Sequence, residues 1–318
     1  MSQHPAAAHA RTHRTRLIVA FATVYLLWGS TFLAIRIAVE TIPPFFMAGM
    51  RHLTAGLVLC AWMLRRGAPR PSASEWKVAS IVGVLLLLGG NGIVSWAELR
   101  VPSGITALLV ATVPVWMVIV DWLRPGGARP HAGVFAGLVL GMTGLVILVG
   151  PGEFMGHGVV DATGALALVL GSLSWAIGSI YSQRAERPRS PLLATGMQMV
   201  AGGAALIVAG AIVGEGKGFS LAQVTLHSGL GWAYLVVFGS LIGFTAYAYL
   251  LGATTAAKVA TYAYVNPVVA VLLGWALAGE EVTPRTLIAA AVILGGVAII
   301  TVARSGRAKP LPEEAIGD

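Results

Sequence analysis

The sequence predicts an all-α membrane protein with ten transmembrane helices, which form two inverted five-helix repeats around a central cavity. Three observations support this prediction. The chain has 318 residues, of which 57% are hydrophobic and 11% are charged, whereas soluble domains carry about 25% charged residues. Its apolar runs are about 20 residues long, the length that a helix needs to cross a bilayer. Several motifs also recur in the second half at a constant distance from their first occurrence.

Ten apolar runs, separated by short polar segments, define the predicted helices. Residues 1–15 contain no such run and are predicted to be a disordered cytoplasmic tail. The first repeat is expected to cover residues 16–150 and the second residues 161–304, followed by a second cytoplasmic tail at 305–318. The helices are expected at residues 17–38, 44–64, 76–97, 102–123, 131–150, 161–182, 192–213, 230–251, 257–278 and 285–303.

The basic residues are concentrated on one side of this arrangement. Ten spans place both termini on the same side, where sixteen of the 21 Lys and Arg residues lie, against three on the opposite side. Because cytoplasmic loops of membrane proteins are enriched in Lys and Arg, we expect a multi-pass protein of the inner (plasma) membrane with both termini in the cytoplasm. The same distribution explains the net charge of +8 without a nucleic-acid partner.

Signatures of enzymes and metal sites are missing from the sequence. The single cysteine, Cys60, lies inside an apolar run, so there is neither a disulfide framework nor the spacing of zinc ligands. The sequence has no His-Glu-x-x-His motif and no Gly-rich phosphate loop. We therefore expect no catalytic residues, no cofactor and no bound metal.

The second half repeats the first at two constant offsets. The offset is 147 residues early in each half and 153 residues later, which indicates one insertion between the two groups of motifs. Five helices per repeat, an odd number, make the second copy cross the membrane in the opposite direction. Transporters built in this way hold their binding site near the midplane between the halves. The repeated pairs are Trp28/Trp175, Met50/Met197, Ala107/Ala260, Pro114/Pro267 and Trp122/Trp275.

Short motifs within these repeats are shared with a known family. They are Trp28–Phe32, Gly90–Gly92, Val101–Ile105, Ser174–Ala176, Tyr264–Pro267 and Gly279–Glu280. In this order they resemble the EamA-type drug/metabolite transporter superfamily, and the second and third resemble its YedA-like branch of inner-membrane exporters, near the aromatic amino-acid exporters. The resemblance covers nearly all of residues 16–304. It implies ten helices, cytoplasmic termini, a central cavity and the export of amino acids or similar metabolites.

Arg51 is the most costly residue of the chain to place in lipid. It lies about 10 Å from the start of its helix at 1.5 Å per residue, and an Arg at a helix centre costs about 2.5–3.5 kcal/mol on insertion scales. It either binds a substrate carboxylate, or pairs with Glu98 or Glu40, or extends its side chain to the membrane surface. Its counterpart in the second repeat is the polar Gln198, which favours a site residue.

Aromatic and polar side chains in mid-helix positions complete the predicted site. Trp28 and Trp175 either pack between the halves or line the cavity. Tyrosines two positions apart on a helix cannot share one face, so at most one of Tyr247 and Tyr249 should line the cavity. The predicted substrate-binding residues are Trp28, Ser30, Arg51, Asn91, Trp96, Trp175, Gln198, Tyr247, Tyr262 and Asn266. Pro114 and Pro267 are predicted to bend their helices and act as gating residues, because proline removes a helix hydrogen bond.

These features predict a transporter that exports small metabolites, above all amino acids, by alternating access. Its partners would be the substrate and membrane lipid. One alternative is an antiporter of sugar phosphates or nucleotide-linked sugars, which would need several cations in the cavity. Another is a non-transport membrane scaffold, which would not need polar groups at matching positions of both halves. Because the predicted helices carry no acidic residue near mid-depth, we expect transport without obligatory proton coupling.

The fifth predicted helix also carries a stripe of glycines. Gly133, Gly137, Gly141 and Gly144 are spaced so that most of them share one face. Small residues in this pattern let two helix backbones approach closely in a membrane. We expect the tenth helix to be the partner, through Gly295 and Gly296.

Overall fold

A computed structural model describes residues 5–127, 129–130, 132–149, 161–185, 190–254, 259 and 261–305, with most side chains from Arg14 onward. Within these residues the ordered elements are helices, and no strand occurs. A short 3₁₀ turn, Leu221–Gln223, precedes α8. The helices are α1 Pro5–Ala38; α2 Pro44–Arg65; α3, which comprises Ala73–Gly83, Val84–Gly92 and Ile93–Ala97; α4, which comprises Ser103–Val110 and Val113–Leu123; α5 Ala132–Val149; α6 Ala162–Arg184; α7 Pro191–Ile212; α8, which comprises Leu226–Tyr234, Leu235–Ile242 and Gly243–Ala253; α9 Tyr262–Ala278; and α10 Pro284–Ser305.

Every predicted range overlaps one of these helices. Eight helices in the described part of the chain are long and apolar enough to cross a membrane, and the apolar segments Ala132–Leu148 of α5 and Val265–Ala278 of α9 are shorter. The largest difference is at the start, where α1 begins at Pro5 and so includes part of the segment predicted as a tail. Its Ala-rich first turns have high helix propensity, and proline suits the first helical position. Residues 257, 258 and 260 of the predicted ninth helix and residues 306–318 of the predicted C-terminal tail lie outside the described residues.

Glycines with positive φ follow four of the helices in matched pairs. Gly67 (φ 86°) follows α2 and Gly214 (φ 85°) follows α7, 147 residues later. Gly126 (φ 72°) follows α4 and Gly279 (φ 64°) follows α9, 153 residues later. Glycine adopts this left-handed conformation without a steric penalty and commonly ends helices. The offsets that repeat in the sequence therefore also hold for the turns between the helices.

The contacts between helices of opposite halves follow the repeat. Replacing each helix by its counterpart in the other half gives the same main contacts. The most extensive contacts join α2 to α7 and α5 to α10, while α1 packs on α8 and α9 just as α6 packs on α3 and α4. A Cβ atom added to Gly49 of α2 would lie 3.0 Å from the carbonyl oxygen of Gly203, and one added to Gly56 would lie 2.7 Å from that of Gly196. The two helices are therefore antiparallel. Because each partner in one contact is the 147-residue counterpart of a partner in the other, the arrangement is that of an inverted repeat.

Three of the four α5 glycines, Gly137, Gly141 and Gly144, pack against α10, as predicted. A Cβ added to Gly137 would lie 2.7 Å from the carbonyl oxygen of Gly296, and one added to Gly144 would lie 3.2 Å from that of Ala289. The prediction was wrong for Gly295, where an added Cβ would meet no atom within 4 Å. The reason is geometric, because adjacent helix residues point about 100° apart and only one can face α5.

The two prolines predicted to bend helices differ from each other. The helix α4 is interrupted at Ala111 and Thr112, directly before Pro114, which takes the second position of the next segment. In contrast, Pro267 lies inside the continuous helix Tyr262–Ala278. An interruption equivalent to that at Pro114 is therefore not found in α9, and the predicted symmetry of the two sites does not extend to the backbone.

Gly296→Leu is expected to lower the free energy of unfolding by about 1–3 kcal/mol, because overpacking forces the closely packed backbones apart. Gly137→Leu should do the same from the α5 side. Gly295→Leu is the matched control and should leave stability unchanged, since its side chain would meet open space. Unfolding titrations in mixed detergent micelles would measure all three. Equal stability of the position 295 and 296 variants would contradict the interface.

Candidate functional site

Trp28 of α1 lies at the centre of an aromatic cluster formed by both halves. Its ring is 5.1 Å from that of Phe244, 5.0 Å from that of Tyr247 and 5.3 Å from that of Tyr262, measured between centroids. Its indole nitrogen donates a hydrogen bond of 3.1 Å to the carbonyl oxygen of Gly239. In this structure Trp28 therefore packs against the second half, and its role in lining a cavity stays a prediction.

Two widened helix turns admit the tryptophans. The segments Val84–Gly92 of α3 and Leu235–Ile242 of α8 are π-helical, and such segments frequently mark functional sites. A Cβ added to Gly243 would lie 2.5 Å from the Trp28 ring, and one added to Gly90 would lie 2.8 Å from the Trp175 ring. Each tryptophan therefore rests on a glycine of the other half, at positions that the repeat makes equivalent.

Arg51 lies next to this cluster, inside the protein. Its side chain is 3% exposed, and its Nε atom donates a hydrogen bond of 2.9 Å to the hydroxyl of Ser240. One terminal nitrogen lies 3.0 Å from the position that a Cβ of Gly239 would take, so Arg51 and Trp28 contact the same residue of α8. Among the described residues Arg51 has no ion pair within 4 Å, so the alternative pairings with Glu98 and Glu40 are not found.

The contact between α1 and α9 adds polar groups on the other side of Trp28. The hydroxyls of Tyr25 and Thr261 are 2.5 Å apart. With its amide nitrogen turned toward them, Asn266 donates to the carbonyl oxygens of Tyr25 and Tyr262, both at 3.2 Å. A Cβ added to Gly29 would lie 3.2 Å from the carbonyl oxygen of Asn266. The predicted residue Asn266 therefore closes the contact between the halves.

Other predicted residues lie around this centre or away from it. Ser30 and Tyr234 share a hydrogen bond of 2.6 Å, and Tyr249 is 38% exposed on the other face of α8, as the spacing from Tyr247 predicts. Asn91 faces His52, a fully buried side chain whose ring nitrogens make no good hydrogen bond within the described residues.

Trp96 and Gln198 are not brought to the Trp28 cluster. The ring of Trp96 is covered by the guanidinium of Arg100 at 4.8 Å from the ring centroid, near the end of α3. Gln198 is half-buried on α7, where its main chain packs closely on Gly83. The role of Gln198 as a site residue therefore stays a prediction, supported by its mirrored position relative to Arg51.

Sequence reasoning missed the α8 residues that hold the centre together. Gly239 and Ser240 accept the hydrogen bonds of Trp28 and Arg51. The signal was present, since a Gly-Ser pair within an apolar helix allows close approach and offers a hydroxyl. Tyr25 and Tyr234 were also overlooked, because their partners lie on helices far away in sequence.

Acidic side chains bind helix termini at one end of the bundle, which we call the distal end. It is the end where α1 finishes and α10 begins. Glu215, after α7, accepts hydrogen bonds from the main-chain nitrogens of Phe45 (3.0 Å) and Phe46 (2.9 Å) at the start of α2. Glu280, after α9, accepts them from Ser103 (2.7 Å) and Gly104 (3.0 Å) at the start of α4. Carboxylates stabilise helix N-termini by satisfying unpaired N–H groups and by complementing the helix dipole.

These two glutamates each follow one of the left-handed glycines, Gly214 and Gly279. The equivalent turns of the first half have Ala68 and Gly127 in their place. The turn itself is retained, since the main-chain nitrogen of Ala68 donates to Met63 (3.0 Å) as that of Glu215 donates to Gly210 (2.9 Å). The backbone of the repeat is therefore symmetric at the turns after α2 and α7. It differs after α4 and α9, where Gly127 donates to Arg124 (2.9 Å) but Glu280 donates to Gly274 (3.0 Å). At both pairs of turns the carboxylate is present in the second half alone.

Glu98, at the distal end of α3, is buried among few hydrogen-bond donors. Its side chain is 1% exposed, and within the described residues neither carboxyl oxygen makes a hydrogen bond of good geometry. Burial, and next the negative charge of Glu280, raise the pKa of Glu98 well above its ordinary value, while Arg36 opposes this effect. Arg36 itself lies 3.6 Å from the carboxylate of Glu280.

Two surface pockets lie apart from the Trp28 cluster. One is lined by α5 residues, including Met142 and Thr143. The other surrounds the turn between α9 and α10, from Trp275 to Pro284. Neither is lined by a residue of the predicted site, so a central cavity remains a prediction.

Comparison with known proteins finds relatives along nearly the whole chain. The sequence profile described as the EamA-like transporter family matches residues 15–150 and again residues 162–302. The chain is 39% identical to the uncharacterized inner membrane transporter YedA of Escherichia coli over 91% of both chains. It is 25% identical to the uncharacterized transporter YvbV of Bacillus subtilis, over 90% of this chain and 91% of that one. A solved crystal structure with 22% sequence identity has a TM-score of 0.63 and covers 91% of this chain and 99% of that one, so the two share a fold.

Ser240→Ala is expected to lower the free energy of unfolding by about 1–3 kcal/mol, because it leaves the buried Nε of Arg51 without an acceptor. Thr245→Val on the same helix is the matched control. Its hydroxyl bonds only to the carbonyl oxygen of Leu241 in its own helix, at 2.6 Å, so its loss should cost much less. Unfolding titrations of both variants would measure the difference, and equal effects would mean that Ser240 does not support Arg51.

Proposed function

The chain belongs to the EamA-like transporter family, and on this premise we propose that it exports small metabolites, above all amino acids, by alternating access. In this proposal it is a multi-pass inner-membrane protein with ten spans and cytoplasmic termini. The distal end then faces the outside of the cell. The excess of basic residues at the opposite end supports this orientation.

The proposed substrate class rests on one observation, the burial of Arg51. A buried guanidinium without a carboxylate partner is costly unless a ligand supplies the opposite charge. In the part of the chain that the structure describes, Arg51 is the one Arg or Lys side chain that is buried. Its free donors make it suited to bind a substrate carboxylate with charge-assisted hydrogen bonds.

The surroundings of Arg51 suit the rest of such a substrate. Trp28, Phe244, Tyr247 and Tyr262 provide aromatic faces next to Gly239, the residue that Arg51 also contacts. Aromatic rings bind apolar side chains by burial and attract an ammonium group through their faces. An amino acid with an apolar or aromatic side chain matches this combination.

The two alternative functions find less support. A sugar phosphate or nucleotide-linked sugar carries at least two negative charges, and Arg51 offers one compensating charge among the described residues. A scaffold would not require a buried arginine between the halves. In the transport proposal, α1–α4 and α6–α9 rearrange around the Trp28 cluster, while α5 and α10 pack on each other beside them.

Arg51→Gln should remove the preference for a free carboxylate. We expect the wild-type protein to bind an aromatic amino acid more tightly than its carboxamide by about 10–100-fold, since hydrogen bonds to charged groups contribute about 1.5–3 kcal/mol. The variant should bind both ligands with similar, weak affinity. Calorimetric titration of the purified protein in detergent with each ligand measures the ratio.

The matched control for this experiment is Arg100→Gln, which removes an exposed arginine over Trp96. It should keep the wild-type preference. Because the readout is a ratio of two ligands on one protein, a partial loss of folded material does not change it. If the Arg51 variant kept the full preference for the acid, the proposed role of Arg51 would be wrong.

Pro267→Ala is expected to slow transport more than it weakens binding. Proline leaves the carbonyl of residue 263 without its helix donor, which makes this turn of α9 easier to bend. Restoring the hydrogen bond should stiffen the helix, with a several-fold lower flux into or out of proteoliposomes and an unchanged binding constant. Pro114→Ala tests the same idea at the interruption of α4. Equal losses of flux and affinity would assign these prolines to binding and not to gating.

A further inference from the structure

Glu98 lies at the meeting point of four segments of the distal end. Arg36 of α1 donates a hydrogen bond of 3.3 Å to the main-chain oxygen of Glu98 and not to its carboxyl group. The carboxylate of Glu280 receives the guanidinium of Arg36 and two N–H groups of α4. The hydroxyl of Ser103, also fully buried, has no hydrogen bond in the described part of the chain. The charged neighbours of Glu98, Arg36 and Glu280, are therefore already engaged with each other and with α4.

The hydrogen-bond donors of this region are directed at Glu280 and not at Glu98. Two main-chain N–H groups and the Arg36 guanidinium contact the carboxylate of Glu280. A second carboxylate at Glu98 would be buried beside this charge with no donor of its own, which is costly. As a neutral acid, Glu98 avoids this cost.

We propose that Glu98 is a proton-binding site of the distal gate, which holds a proton while this end of the bundle is closed and releases it to water when the end opens. The reaction is a simple dissociation, in which the carboxyl O–H bond breaks and the proton passes to solvent at the distal face. Because the proton enters and leaves at the same end, the site controls opening without carrying protons across the membrane.

Few other charged groups face Glu98. Arg36 and Glu280 act on it directly. Arg100, two residues further along, is exposed over Trp96. On α6, Asp161 is engaged by the main-chain nitrogen of Gly164 at 2.6 Å, and on α2 the nearest titratable group, His52, faces Asn91 about two helical turns earlier on α3. The protonation of Glu98 therefore depends mainly on its burial and on the Arg36–Glu280 pair.

The direction of the pH effect follows from this arrangement. The pKa of Glu98 is raised in the closed form, first by burial and then by Glu280, and opening to water would restore an ordinary carboxyl pKa. The closed form binds the proton more tightly, so low pH stabilises it. Its advantage is lost as the pH rises through the raised pKa, and the open form is then favoured. A single proton changes the ratio of the two forms by at most about tenfold per pH unit.

A distance measurement across the distal end tests the proposal. Spin labels on Glu40→Cys and Glu281→Cys, both exposed positions, in a Cys60→Ser background would report the separation of α1 from the turn after α9. In full-length protein in nanodiscs we expect the fraction of long distances to rise with pH. In Glu98→Gln, which is a neutral isostere of the protonated acid, the short distance should persist at every pH.

Glu215→Gln is the matched control, because it removes a carboxylate of the same end that binds α2 and not α4. It should raise the fraction of long distances at every pH, since it weakens the distal end, but keep their rise with pH. A Glu98→Gln variant that opens with pH like the parent, or a parent whose distances do not respond to pH, would overturn the proposal.

The inference rests on the proposed opening of the bundle, and the same labels separate the two ideas. If distances respond to ligand but not to pH, the Glu98 site is refuted while transport by alternating access stands. If they respond to neither, both ideas fail. Thermal melting of Glu98→Gln, expected to match the parent at low pH, confirms that a constant short distance comes from folded protein.

Discussion

Direct contact between helix backbones of opposite halves is the interaction on which the rest of the bundle depends. In a membrane, apolar side chains gain little by leaving lipid for a neighbouring helix, so close packing and polar contacts must hold helices together. Glycines provide this contact where α2 crosses α7 and where α5 crosses α10. Because the partners in each crossing come from different halves, neither half can form these contacts by itself. The two repeats therefore depend on each other for their packing.

The same use of glycine creates the candidate site. Where α3 and α8 widen into π-helical turns, a missing side chain admits a tryptophan from the other half. The widened turn of α8 also exposes Gly239 and Ser240 to Trp28 and Arg51. A few residues of α8 therefore have two roles. They let the halves approach each other, and they contact the buried side chain of Arg51.

The apolar runs and the two offsets predicted most of this architecture, because helix length in lipid is set by the bilayer and a repeat has to preserve its own contacts. They also singled out Trp28, Tyr247 and Tyr262, whose mid-helix positions are unusual for aromatic residues with polar groups. The rest depends on which faces meet. The sequence around Ser240 or Glu98 does not show which helix packs against these residues. Trp96 and Gln198 were predicted from their positions in the chain, but Trp96 contacts Arg100 and Gln198 packs on Gly83. The unbroken helix around Pro267 shows equally that a shared proline does not impose a shared backbone.

The Gly-Glu turns after α7 and α9 give the two ends of a repeated backbone different chemistry. At the distal end, carboxylates of the second half hold helix starts of the first half, and the equivalent turns of the first half have Ala68 and Gly127, which cannot do so. In the proposed transport cycle, opening the distal end breaks the four charge-assisted hydrogen bonds of Glu215 and Glu280. The repeated backbone is thus fastened at this end by charges that the turns of its first half do not carry.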